Sequence, residues 1–207
     1  MPHHPKTAAV AIVLALTCTH HASPQLVNTD WSTPTSSDTI PGVLNGVGVT
    51  LVLDNTGLPA PGLSTFDFTT GEFADAPLGP DEEMVFTANP DTWTVTFDAP
   101  VTDLHLYFIT LGKSDEERTW TYDHDFTIES GLTGISGSTS NSFSGTGAFE
   151  GVLKFEGPIN SLTLTAPNIT PASVFQTFAA PVPEPTSLAL LGLGGLLVAR
   201  RRRSINR

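Results

Sequence analysis

Residues 93–98 read Trp-Thr-Val-Thr-Phe-Asp, a strict alternation of apolar and polar side chains. Only an extended strand sends successive side chains to opposite faces, so Trp93, Val95 and Phe97 share a buried face while Thr94, Thr96 and Asp98 point to solvent. Ala99-Pro100 ends the run. Residues 104–109 repeat the pattern, with Leu104, Leu106 and Phe108 on one face and His105, Tyr107 and Ile109 on the other. The two runs read as adjacent strands joined through Pro100-Val101-Thr102-Asp103. Similar stretches occur at 48–53, 66–69, 84–87, 119–122, 126–130, 149–155 and 161–166, with a final candidate at 174–178. No window of helical length carries a 3.6-residue period. Short strands divided by Gly, Pro, Asn and Asp predict an all-β, antiparallel two-sheet β-sandwich, with jelly-roll and immunoglobulin-like topologies both open.

Two low-complexity stretches bear on the domain limits. In residues 134–147 only Ile135 and Phe143 are not Gly, Ser, Thr or Asn. A disordered linker is one reading of such a stretch, but strand-like Phe126, Ile128, Phe149 and Leu153 flank it, which favours a solvent-facing edge hairpin. Residues 167–181, containing Pro167, Pro171 and Pro181, are expected to be a linker that follows a sandwich over 23–166.

Charge divides the chain differently. The 207 residues carry 21 Asp and Glu against 9 Lys and Arg, for a net −12. Between Asp30 and Glu156 lie twenty acidic residues and only Lys113, Arg118 and Lys154, a net of −17, with the remaining basic residues at the two ends. Such a body lacks the Lys/Arg footprint that nucleic acid binding requires, and a single Cys leaves no internal disulfide framework. Basic ends around an acidic body suggest addresses flanking a passenger. After Lys6, the apolar run 8–16 has the length of a signal-peptide core and is too short for a spanning helix. Residues 1–22 are therefore expected to be a signal peptide, handled by the Sec machinery and signal peptidase, with a cut near residue 22 or 23. Cys18 lacks the small residue before it that a lipoprotein site wants, so it is read as part of the discarded leader.

At the other end stand Pro183-Glu184-Pro185, an uncharged segment over 188–199 rich in Leu and Gly, and then Arg200, Arg201, Arg202 and Arg203. The paired prolines hold the backbone extended around Glu184, which suits a segment gripped by another protein's cleft. Twelve residues make a helix of about 18 Å, short of a hydrocarbon core of about 30 Å, so flanking residues must lengthen the buried segment or the bilayer must thin. The Arg cluster would stay cytoplasmic, leaving the body outside. In order, spacing and terminal position, residues 182–207 resemble the PEP-CTERM sorting signal of exported bacterial proteins. The resemblance implies recognition of Pro183, Glu184 and Pro185 by an exosortase and retention in the inner membrane through Arg200–Arg203 until the cut. It further implies a Gram-negative-type envelope, delivery to the cell surface or medium, and association with exopolysaccharide or biofilm matrix.

The passenger itself offers little catalytic chemistry. Once a leader is removed, only His105 and His124 remain, with no Cys, and no Gly-x-Ser-x-Gly, His-Glu-x-x-His or complete phosphate-cradling Gly-x-x-x-x-Gly-Lys-Ser/Thr sequence occurs in it. The expectation is a non-enzyme with a structural or adhesive role, needing no cofactor. The alternative is a Ca²⁺-assisted carbohydrate-binding module, with Asp115, Glu117, Asp123 and Asp125 as oxygen donors and the alternating Trp120 and Tyr122 as a sugar-stacking surface. Plain acidic loops and ordinary core packing compete with both assignments. A carboxylate-dependent polysaccharide hydrolase is a third option, since twenty acids make a close pair by chance nearly certain.

Overall fold

The computed structural model describes residues 25–54, 61–88, 92–111, 117–165 and 173–182. The signal peptide expected over 1–22, the hydrophobic segment 188–199 and the Arg cluster lie outside the described residues. Within them the chain is all-β. In order it forms β1 (Leu26–Asn28), β2 (Asp30–Trp31), β3 (Thr39–Leu44), β4 (Val47–Leu53), β5 (Gly62–Phe66), β6 (Glu82–Ala88), β7 (Thr92–Val101) and β8 (Leu104–Leu111). It continues with β9 (Glu117–Tyr122), β10 (Thr127–Gly131), β11 (Ile135–Ser138), β12 (Ser142–Thr146), β13 (Phe149–Phe155), β14 (Ile159–Thr165) and β15 (Ser173–Pro181). A single 3₁₀ turn, Gly71–Phe73, interrupts the strands, and among the described residues no helix is long and apolar enough to cross a membrane.

The strands build two antiparallel sheets. One runs β10-β13-β8-β15-β6-β5, with β1 added beside the end of β15, and the other runs β11-β12-β9-β14-β7-β4-β3-β2. The β3–β4 hairpin turns on Asn45-Gly46, with φ of 51° and 82°. Positive φ at both positions matches the right-handed twist of the flanking strands, and Asn-Gly is the pair that tolerates it most readily. Residues 134–147 form the β11–β12 edge hairpin favoured by the sequence, and Phe143 turns from it into the core.

The faces predicted by alternation meet between the sheets. Phe178 of β15 packs against Trp31, Trp93 and Phe97 of the opposite sheet at ring-centroid distances of 6.2, 5.7 and 6.2 Å. Further along, Phe143 stacks on Phe108 at 5.5 Å and on Trp120 at 5.1 Å, and Tyr122 meets Phe155 at 5.4 Å. Each ring pair adds about 0.5–1.5 kcal/mol to the area it buries. A second apolar cluster covers the outer face of the β8 sheet: Phe68 and Phe73, carried by the chain between β5 and β6, fold over Tyr107, Val152 and Ala179. The Tyr107 hydroxyl donates to the carbonyl of Ala76 at 2.6 Å, and burial pushes its pKa upward.

The structure corrects three details of the sequence reading. β7 and β8 are not neighbours in one sheet; they belong to opposite sheets, joined by a tight turn at Asp103 with φ 52°. In one sheet their apolar faces would lie side by side, whereas crossing over brings those faces into contact. The strand expected at 66–69 ends at Phe66, because Phe68 must leave the sheet to enter the outer cluster. The stretch expected as a linker over 167–181 contains β15, a central strand, so the domain extends to Pro181. Proline is tolerated there because Thr29 bonds to Phe178 and Val182 to Gln25, which leaves position 181 with its nitrogen turned away from β1. On the other side β8 pairs only as far as Ala179, so no ladder bond is lost.

Phe178→Ala is expected to lower unfolding free energy by about 3–5 kcal/mol, since it empties the contact among three aromatic rings of the facing sheet. Urea denaturation should show a lower midpoint at unchanged slope.

Candidate functional site

A cleft of about 700 Å³ opens on the outer face of the β8 sheet, where the apolar cover of the 67–79 segment runs out. Its polar wall starts with His105. Alternation along β8 places His105 outward, beside Tyr107, at the end of the strand that the aromatic cover does not reach. The imidazole is nevertheless buried: Nδ1 lies 2.9 Å from the backbone carbonyl of Asp103, and Nε2 lies 2.8 Å from Oε2 of Glu129. Both ring nitrogens face oxygens of the protein, which fixes the ring between β8 and β10.

Glu129 reaches His105 because of a β-bulge. The β10–β13 register runs Ile128↔Leu153 and then Ser130↔Val152, leaving Glu129 as the extra residue. A bulge re-aims side chains, and here two consecutive residues serve the outer face. Glu129 bonds His105, and Ser130 donates its hydroxyl to the carbonyl of Glu72 in the covering segment. Gly131 closes the bulge at φ 74°, where an added Cβ would stand 2.4 Å from the carbonyl oxygen of Glu150. Lys154, the cross-strand neighbour of His105, places its ammonium 3.6 Å from Asp103 Oδ1 and 3.9 Å from Glu129 Oε1.

The cleft thus sets Asp75, Asp103 and Glu129 against Lys154 and His105, over an apolar floor that includes Leu26, Leu78 and Pro181. The Lys154 ammonium lies between Asp103 and Glu129, and among the described residues no group of three or more His, Cys, Asp or Glu side chains is arranged to hold a metal ion. What remains is a partly desolvated set of donors and acceptors, three carboxylates against one ammonium and an imidazole, a composition suited to a polar ligand that is not an anion.

The residues singled out from sequence are placed elsewhere. Trp120 and Tyr122 are 1% and 3% exposed and belong to the core between the sheets, so neither ring is available to stack on a sugar. The alternation was read correctly, but the face it marks is the inner one. Of the proposed calcium donors, Asp115 lies outside the described residues. Glu117 begins β9 and accepts a hydrogen bond from Ser136, whereas Asp123 follows the end of that strand, about 20 Å away at the rise of an extended chain. Asp123 instead accepts the Thr163 amide at 2.9 Å and pairs with His124 Nδ1 at 2.8 Å, and Asp125 is exposed in the same turn. The three described donors are not gathered into one site. Sequence reasoning did not find the His105, Glu129 and Lys154 group, although the scarcity of His and Lys in an acidic body was a usable signal.

Pro183, Glu184, Pro185 and Arg200–Arg203 lie outside the described residues, but the chain leads to them directly from the cleft, whose lining includes Pro181. A comparison with curated proteins returned no match. Residues 181–203 match the model of the PEP-CTERM protein-sorting motif. The chain therefore carries a PEP-CTERM sorting motif near its C-terminus, which implies an exosortase as processing partner and export to the cell envelope or surface.

Proposed function

We propose that this chain is an exported cell-envelope or extracellular-matrix protein of a Gram-negative-type bacterium, cut from its tail by an exosortase, with a structural or adhesive role in exopolysaccharide. The sorting motif at 181–203 carries the first half of this reading. The inner membrane is then a transient partner, reached through a Sec-dependent leader and left at the C-terminal cut. The passenger is the substrate of sorting chemistry and not itself a catalyst. Its net −17 suits solubility and repulsion between copies outside the cell.

The cleft supports the adhesive half. Carboxylates of Glu129 and Asp103 accept hydrogen bonds from paired hydroxyls, and the Lys154 ammonium donates one, while the apolar floor takes the C–H face of a sugar ring. The reading takes the Lys154 ammonium as the cation facing Asp103 and Glu129, so calcium is no part of it. This differs from a module built on Trp120 and Tyr122, which the core occupies.

Replacing Pro183, Glu184 and Pro185 together by Ala is expected to leave an unprocessed, membrane-held precursor, visible by mass spectrometry of cell and medium fractions. Processing and release equal to the parent would sink the sorting reading. For the cleft, affinity electrophoresis of the released protein in gels containing dextran, a mixed-linkage glucan or a polyuronate should show retardation by a neutral glucan and not by the polyuronate. Glu129→Gln and Lys154→Met should each reduce that retardation about tenfold, the effect expected from a lost charge-assisted hydrogen bond of about 1.5 kcal/mol. Chelator should leave it unchanged. Retardation that persists in both variants would remove the cleft from the reading.

A further inference from the structure

The sorting motif begins where the folded domain ends. The Val182 amide donates to the carbonyl of Gln25 at 2.9 Å, and Pro183, the first residue of Pro-Glu-Pro, is next in sequence. The motif match itself starts at Pro181, the last residue of β15. Immediately before the motif, the strand is held from several sides. β1 pairs with it through Leu26↔Pro181, Val27↔Ala180 and Asn28↔Ala179. The Pro181 carbonyl accepts from the Asn45 side chain of the β3–β4 turn at 3.3 Å. Further back, Thr177 donates to Asn28 at 2.7 Å and accepts from the Trp31 ring nitrogen at 3.0 Å, while both the amide and the hydroxyl of Thr29 bond the Phe178 carbonyl at 2.8 Å.

An enzyme that cuts a peptide holds it extended, with its own backbone bonded to residues on both sides of the scissile bond. Here the residues just ahead of Pro-Glu-Pro already have those groups paired within the domain. A folded two-sheet body also stands directly against the cut, with no intervening chain.

We propose that β1 holds the end of β15 at the corner beside the Asn45-Gly46 turn, and that it must release that end before the sorting enzyme removes the tail. The proposal rests on the exosortase reading above and adds to it a structural condition on the cut. Because β1 is the first strand of the described chain, the segment next to the expected leader controls access to the segment next to the tail. Pairing of Gln25 with Val182 sets the first and last described residues side by side at that corner.

The test follows conversion of full-length precursor by pulse-chase in an exporting host. A six-residue Gly/Ser spacer inserted between Val182 and Pro183 lies outside every hydrogen bond of the domain and leaves the fold intact. It should speed conversion about fivefold, the equivalent of about 1 kcal/mol of strand pairing no longer broken. Leu26→Cys with Pro181→Cys joins two register partners, and its disulfide should slow conversion about fivefold, with reductant restoring the rate of the Pro181→Cys single variant. If either the spacer or the disulfide leaves conversion within twofold of its control, strand pairing does not limit the cut, and the proposal fails. Should that happen while the Pro183–Pro185 alanine variant stays unprocessed, the exosortase reading stands alone. Parent-rate processing of the alanine variant would overturn the reading and the proposal together.

Discussion

The structure depends on where β15 lies. It is the last strand in the described chain, yet it sits in the middle of its sheet, bonded to β8 on one side and to β6 and β1 on the other. Phe178 fills the space between the sheets against Trp31, Trp93 and Phe97, while Ala179 on its opposite face belongs to the outer cluster with Phe68 and Phe73. One strand therefore closes two cores. Its side-chain bonds to Thr29 and Trp31 span 149 and 146 residues, so the entropy of closing the chain is met only when the final segment arrives.

A strand buried on both faces forces a choice on its polar residues. In β8, Tyr107 meets the demand by donating its hydroxyl to Ala76 beneath the aromatic cover. His105 has no such cover, and its ring is satisfied by the Asp103 carbonyl and by Glu129. The bulge in β10 makes the second bond possible, and the same bulge lets Ser130 hold the covering segment. The cleft is thus a consequence of how the outer cover ends. Lys154 lies among carboxylates there because burial next to a sheet penalises an unpaired ammonium.

Parts of this were legible in the sequence. The period of two at 93–98 and 104–109 predicted the strands and their buried faces, and the Ser/Gly-rich stretch 134–147 was recognisable as a hairpin by its strand-like flanks. The Asn45-Gly46 hairpin went unread although the pair is a hairpin signal, because β3 ahead of it contains Pro41 and Gly42, which dilute the strand pattern. β15 was seen only as a candidate strand at 174–178 inside an expected linker, because Pro181 and the nearby prolines resemble one. Proline excludes a residue from a ladder only when its nitrogen faces a partner, and that orientation depends on register. The cleft group was hidden for a related reason: His105, Glu129 and Lys154 lie 24 and 25 residues apart along the chain and meet only through cross-strand pairing.

By itself the sequence determined the fold class, the acidic body between basic ends, and the sorting tail. Each of these is a local property, carried by alternation, charge count or a short ordered motif. Only the tertiary structure decided which faces were inner, turning Trp120 and Tyr122 from a candidate sugar platform into core. It also brought His105, Glu129 and Lys154 together and set Gln25 against Val182 at the root of the tail. Those outcomes depend on which strands pair and in what register. Pairing is a contest among distant segments for the same hydrogen bonds and the same buried area, which no local pattern records.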